Sequence, residues 1–374
     1  MMILTSFPPG IPANVVRPLP EPAPWPRDDR AGARLLLVNA ARETVRGARF
    51  RDLPELLDRK DVLVVNDAAT LPASFAARTV RGDPLELRLA AFEDDGFVAL
   101  ALGSGSFRDP TERRGPPPEL ETGDSLTIMD SDSPALSALV THVDASAGTT
   151  RKLSIRFDRE GDALWSALYR AGRPIQYSYT ARELSLFHVQ NSYAGRAFAF
   201  ELPSAGHAFD GAMLLALRRR GVTIASLTHA AGISSTGNPE LDARLPFPER
   251  YELPFSTVRA VRAARKRGGR VVAVGTSVVR ALEAASASGV LTPGAGEARL
   301  VLGEGDAPRV VDAVLSGIHP PGGSHFELLS AFAPKELLRR ASEEAGRLGY
   351  LQHEFGDLCL VERAAQGRTL GDSA

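Results

Sequence analysis

The chain holds one cysteine, Cys359, among 374 residues. A lone thiol forms no intrachain disulfide and cannot build a cysteine metal cluster, which points to a reducing compartment and to no metal site. Long apolar runs are missing, so no membrane contact is expected. The opening MMILTSFPPGIPANVV lacks the basic segment and sustained apolar core of a signal peptide, and a cytoplasmic location is the expectation. The net charge is only −1, which gives no global attraction to nucleic acid, so an RNA partner needs a local basic patch. A P-loop and the GxGxxG, HExxH and GxSxG motifs are also absent. Their absence argues against a nucleotide triphosphatase, a dinucleotide-dependent dehydrogenase, a zincin and an α/β-hydrolase.

What remains is ordinary globular composition, 44% apolar and 24% charged, at a length that favours two domains over one. The stretch GGRVVAVGTSVVRALE reads as strand, turn and helix. Val271–Val274 is apolar throughout, as a strand buried on both faces requires, and Val278, Leu282 and Ala285 then recur at helical spacing. Further strands are expected at 34–38, 62–65, 198–202, 222–227, 251–253, 310–315 and 358–361. Helices are expected at 50–57, 162–171, 210–220, 258–267 and 336–347, with Ser324 and Glu327 forming a capping box for one more. Between 68 and 157 the pattern changes to short alternating strands, among them Leu85–Leu89 and Leu153–Phe157, separated by Gly- and Pro-rich turns. The fold class is therefore an α/β domain with a layered α/β sheet, formed by 1–67 and 158–374, carrying an inserted all-β barrel-like domain at 68–157. The proline-rich residues up to about Arg34 are expected to run as an extended arm.

Several loops share one design: each leaves a buried strand carrying Ser, Thr or His. They are Ser204–His207, Thr228-His229, Thr276-Ser277 and Ser316–His319, and strand ends of a parallel sheet converge on one edge. Histidine titrates near neutral pH and suits proton transfer, although each also fits the simpler role of capping a helix or bonding a carbonyl. Asp312 and Asp357 can hold a cation or orient a His; a turn or solvent-facing role stays open for both. Arg280 and Glu283, three apart on one helix, are expected to pair with each other. Two basic runs, Arg218–Arg220 and Arg262–Arg270, end helices. They suit the helix dipole or, alternatively, RNA phosphates.

Taken together, GGRVVAVGTSVVRALE, VVDAVLSGIHPPGGSHFELLSAF and FGDLCLV, with RLLLV, FRDLPELL and DVLVVND nearer the start, resemble the S-adenosylmethionine:tRNA ribosyltransferase-isomerases of queuosine biosynthesis. The resemblance spans the chain and implies an α/β domain with an inserted β-barrel. It implies transfer and isomerisation of the ribosyl part of S-adenosylmethionine onto an aminomethyl-deazaguanine base of tRNA, with loss of adenine and methionine. S-adenosylmethionine is then a co-substrate, no tightly bound cofactor is needed, and tRNA is the partner, for which the basic runs Arg218–Arg220 and Arg262–Arg270 are the candidate contacts, the alternative to their role as helix ends. His319, Arg280, Glu283, Asp312 and Asp357 match the family.

Some positions depart from the pattern. His207 stands one place early in its loop, the family's HxMHxExYE is Arg244–Glu252 with both histidines gone, and Val278 replaces a hydroxyl. Ala69 stands where the family has Arg, and Gln176-Tyr177-Ser178 replaces a Pro-Pro-Tyr segment. A lost acid or base is worth about 10²–10⁴ in rate. Three functions therefore stay open: the family reaction, a related use of S-adenosylmethionine with another acceptor, and a non-catalytic protein binding RNA or an adenosyl ligand. The candidate catalytic residues are His319, Asp357 and Tyr251. The candidate substrate-binding residues are Ser204, Gly206, His207, His229, Thr276, Ser277, Arg280, Glu283 and Asp312.

Overall fold

The all-apolar run Val271–Val274 is explained by its surroundings in the structure, a computed structural model that describes residues 19–364. Val271 and Ala273 pack into one core while Val272 and Val274 pack into a second, on the opposite face of the sheet. The strand Val62–Asn66 does the same, with Val62 and Val64 on one side and Leu63 and Val65 on the other. A two-residue side-chain repeat between two helical layers leaves no position for a polar residue.

Nine strands form this sheet, in the spatial order Gly294–Ala298, Glu249–Leu253, Thr223–His229, Val62–Asn66, Val271–Val274, Ala313–Gly317, Leu358–Glu362, Arg34–Asn39 and Thr44–Arg49. The four central strands, from Thr223–His229 to Ala313–Gly317, run parallel. Their carboxyl ends therefore share one edge. Helices Phe255–Lys266, Thr276–Ala285 and Lys335–Arg347 cover one face through Val258, Leu282 and Leu338. Helix Gly211–Arg219 covers the other through Met213 and Leu217.

After Val62–Asn66 the chain pairs Ala68–Thr70 in parallel with Arg196–Ala199 and then enters a closed barrel of six strands. These are Ser74–Arg78, Pro84–Glu93, Gly96–Gly103, Ser125–Asp130, Ser133–Asp144 and Lys152–Phe157. The fold is thus an α/β sheet domain with an inserted β-barrel. Phe200, Ala230, Ile233 and Phe247, from outside the barrel, belong to its core, which seats it against the sheet domain. Helix Gly161–Ala171 sends Ala167 and Leu168 into the same core, and we propose that the barrel unit continues through that helix.

Several local expectations shift. The strand expected at 310–315 is Ala313–Gly317, because the N–H groups of Val310 and Val311 donate to the Glu283 carboxylate and are withdrawn from the ladder. The Ser324–Glu327 capping box does not form. Gly323 is the N-cap of helix Ser324–Leu329 without a side-chain bond, and Glu327 pairs instead with Lys335 at 2.8 Å. The strands Thr44–Arg49 and Ser133–Asp144 have no counterpart among the expected elements. Of the proline-rich arm, the part before residue 19 lies outside the described residues; Glu21–Pro22 is extended and pairs with Leu351–Gln352. Among the described residues no helix is long and apolar enough to cross a membrane.

Candidate active site

A cavity of about 290 Å³ opens where the parallel strands end, close to the roughly 300 Å³ lower bound typical of ligand pockets. Ser204, Thr276, Ser277, Arg280 and His319 line it, so three of the four loops expected to converge do so. Gly275 makes the approach: its φ of 92° is a left-handed conformation that favours glycine. Gly275 also leaves helix Thr276–Ala285 without a side-chain cap, so its first-turn N–H groups are available to a ligand acceptor at the cavity wall.

A buried ion pair forms part of that wall. Arg280 Nε donates to Glu249 Oε2 at 2.8 Å, and its other nitrogens donate to the carbonyls of Leu300 and Ala298 at 2.6 and 3.0 Å. The N–H of Gly232 donates to Glu249 Oε1 at 2.7 Å. His229, fully buried, stands behind this pair with Nε2 3.4 Å from Glu249, and neither ring nitrogen has a hydrogen-bond partner among the described residues. Burial pushes its imidazole down to about 4; the Glu249 charge opposes that and the Arg280 charge adds to it. His229 is thus a neutral ring supporting the pair from behind the cavity lining.

His319 lines the cavity with its ring stacked on His325, centroids 4.3 Å apart and planes 11° from parallel. Burial, then the neighbouring His325 and His353, hold the His319 imidazole well below its usual value, so it is neutral at physiological pH. Another wall carries Glu201, whose carboxylate accepts from the Tyr177 hydroxyl and from Ser234 Oγ at 2.6 Å and Ser234 N at 3.1 Å. Burial raises this carboxyl to about 7 against the lowering by its hydrogen bonds. His325, Glu201 and Ser234 are functional candidates that the sequence alone does not single out. Glu201 follows an apolar run directly ahead of the Ser204 loop, the one local sign of its place.

Other candidates sit elsewhere. Gly206 is packed where a Cβ would lie 2.0 Å from the Tyr193 hydroxyl, so glycine serves close packing there. His207 is buried, shares a hydrogen bond with the His188 carbonyl at 3.1 Å and meets Phe355 edge-on. Arg280 and Glu283 do not pair: burial lets each find stronger partners on other elements, Glu283 accepting from the N–H groups of Arg309, Val310 and Val311 at 2.7–3.0 Å. Asp312 accepts from Val271 N at 2.9 Å and Arg363 Nη2 at 2.9 Å. Asp357 is fully buried between Arg27, at 2.8 Å, and Arg34, at 3.0 Å, and also accepts from the backbone N–H groups of Arg34 and Leu351. Tyr251 packs its hydroxyl towards Gly296 and lines a separate groove beside the barrel. Gly206, His207, Glu283, Asp312, Asp357 and Tyr251 are thus all outside the cavity lining.

Both basic runs lie at the opposite edge. Helix Gly211–Arg219 and helix Phe255–Lys266 each lead into the start of a parallel strand, whereas the cavity lies where those strands finish. Arg270 is occupied by Asp61 at 2.6 Å and by Glu362, and Arg262 by the Leu291 carbonyl at 3.0 Å. Among the described residues no group of three or more His, Cys, Asp or Glu side chains is arranged to hold a metal ion.

A sheet with a parallel core, a barrel spliced in after one of its central strands and a polar cavity at the strand ends define an α/β protein whose cavity lies at the carboxyl edge of its sheet, where open α/β sheets as a rule place their ligands. The chain belongs to the family described as Queuosine biosynthesis protein, which matches residues 18–361. It is 34% identical over 352 residues to the S-adenosylmethionine:tRNA ribosyltransferase-isomerase of Acidithiobacillus ferrooxidans, covering 92% of this chain and 95% of that protein. The protein of the same name from Thiobacillus denitrificans is also 34% identical, with 92% and 94% covered. The fold is similar to the crystal structure of S-adenosylmethionine tRNA ribosyltransferase from Thermotoga maritima, with a TM-score of 0.50 and 24% identity over 91% of this chain and 97% of that one.

Proposed function

We propose that the chain is an S-adenosylmethionine:tRNA ribosyltransferase-isomerase of queuosine biosynthesis, and that the cavity at the strand ends is its active site. The observation that carries this is the neutral, cavity-lining His319 in one cavity with the Arg280–Glu249 pair, in a chain with relatives of that name over almost its whole length. The sulfonium of S-adenosylmethionine acidifies the adjacent ribosyl carbon, and His319 is the group we assign to take that proton. The open first turn of helix Thr276–Ala285, with the hydroxyls of Thr276 and Ser277, suits the carboxylate of the methionyl part. Arg280, held by Glu249, positions the wall against which the ribosyl group lies. His229 supports that wall, and Asp357 and Glu283 act through the fold. S-adenosylmethionine is consumed as a co-substrate, leaving as adenine and methionine, so no resident cofactor is required.

The tRNA base is delivered from the strand-end edge. Arg218–Arg220 and Arg262–Arg270 lie too far round the sheet to meet it there, and we assign them to helix ends. A tRNA substrate carries with it a cytoplasmic location. The test is adenine release from S-adenosylmethionine with and without tRNA bearing the aminomethyl-deazaguanine base. Release that needs this tRNA supports the assignment. Release without it indicates another acceptor, and binding without release indicates an adenosyl-ligand binding protein.

A further inference from the structure

Four carboxylates line the cavity, and three have their charge or hydrogen-bonding needs met by the protein. Glu249 pairs with Arg280, and Glu327 pairs with Lys335. Asp242, half-buried, accepts from Thr236 N at 2.6 Å and Oγ1 at 2.7 Å and faces the charge of Arg151. Glu201 differs: it is 8% exposed, and no Lys, Arg or His among the described residues forms an ion pair with it. A carboxylate this buried needs a cation or a proton.

Its hydrogen bonds limit what that cation can be. A carboxylate offers about four acceptor sites. Three are engaged by the Tyr177 hydroxyl, the Ser234 hydroxyl and the Ser234 N–H. An ammonium or guanidinium would need several free acceptor sites, whereas a sulfonium has no N–H to donate and is recognised by charge alone. We propose that Glu201 is the charge partner of a ligand sulfonium, held for that purpose by Tyr177 and Ser234. This rests on S-adenosylmethionine being the ligand of the cavity.

The electrostatic surroundings are consistent. Behind Tyr177 lies Tyr179, hydrogen-bonded to Glu354 and stacked on His353 at 4.6 Å, so a second carboxyl sits on the far side of Glu201. Arg88 stands 5.7 Å from the Tyr177 ring, and its charge is felt at Glu201, but its ion pair is with Glu86 at 2.6 Å. The cavity is also lined by the neutral His319 and His325 and the self-neutralised Arg280–Glu249 pair. With the site empty, burial holds the Glu201 carboxyl at about 7, so a bound sulfonium displaces its proton.

The experiment is calorimetric titration of the full-length protein with S-adenosylmethionine and with S-adenosylhomocysteine, the same molecule without the sulfonium, from pH 5.5 to 8.5. Wild type is expected to prefer S-adenosylmethionine by about tenfold or more at pH 8.5, with the preference shrinking towards pH 5.5 as Glu201 protonates. Glu201→Gln should bind both nucleosides alike and bind S-adenosylhomocysteine as wild type does, with an unchanged circular dichroism spectrum. Tyr177→Phe keeps the carboxylate but removes one donor. It should move the pH midpoint of the preference upwards, a change that a purely structural role would not produce, and it decides the matter if Glu201→Gln does not fold. A preference that persists in Glu201→Gln, or that is flat with pH in wild type, overturns the inference and leaves the proposed function standing. Failure of wild type to bind either nucleoside overturns both.

Discussion

Replacing Arg280 by Met removes the cation from a carboxylate that is 7% exposed and keeps a side chain of similar length in its place. Glu249 would then keep only the Gly232 N–H at 2.7 Å, and the carbonyls of Leu300 and Ala298 would lose their donors. Breaking a buried pair from one side costs about 3–5 kcal/mol, and the orphaned carbonyls add about 1 kcal/mol each. His229 offsets part of the loss. Its imidazole is held at about 4 by burial and by the Arg280 charge, so removing Arg280 raises it, and the ring at 3.4 Å can take up a proton to balance Glu249. A histidine whose folded-state pKa is raised adds stability at low pH and loses it as pH rises, so Arg280→Met should be less damaging at pH 5.5 than at pH 8. Urea unfolding at both pH values measures this, and Glu249→Gln combined with Arg280→Met should recover about half the loss. A single-variant cost below about 1 kcal/mol, or independent effects in the double variant, would refute a buried, mutually dependent pair.

His319→Ala should lower adenine release by at least about 10²-fold while leaving the urea midpoint near that of wild type; unchanged turnover removes His319 from its assigned role. Wild type should lose stability as pH falls from 6.5 to 4, because His229 and His207, both held near 4, bind protons more readily once unfolded. His229→Phe should flatten that acid limb by up to about 3 kcal/mol, as seen in unfolding curves at pH 7 and pH 4.5. Replacing Arg262, Arg265 and Arg267 together by Ser should leave the salt dependence of tRNA binding unchanged, since these residues sit at the edge remote from the cavity; a shallower slope in filter binding would place RNA there.

The sheet was legible because its strands are buried on both faces, which forces uninterrupted apolar runs such as Val271–Val274 and Val62–Val65. Thr44–Arg49 is an edge strand with a half-exposed pattern, so no run announces it. The cavity was legible where it depends on a strand–turn–helix step, as at Thr276-Ser277, and where a single His ends a strand loop, as at His319. It was not legible where partners come from distant segments. Asp357 meets Arg27 across 330 positions of sequence. Glu201, Tyr177 and Ser234 come from three loops that the barrel and the sheet bring together. The helical spacing of Arg280 and Glu283 suggested a pair, but both are buried, and in a packed interior an acceptor on a neighbouring strand outcompetes the residue one turn away.

The most direct measurement of ribosyl transfer uses S-adenosylmethionine labelled in its ribosyl carbons, the full-length protein, and tRNA carrying the aminomethyl-deazaguanine base. After digestion of the tRNA, nucleoside mass spectrometry should find the label on that base, with adenine and methionine released in equal amounts to the base modified. Adenine release with unlabelled tRNA would contradict ribosyl transfer to tRNA as the activity of this chain.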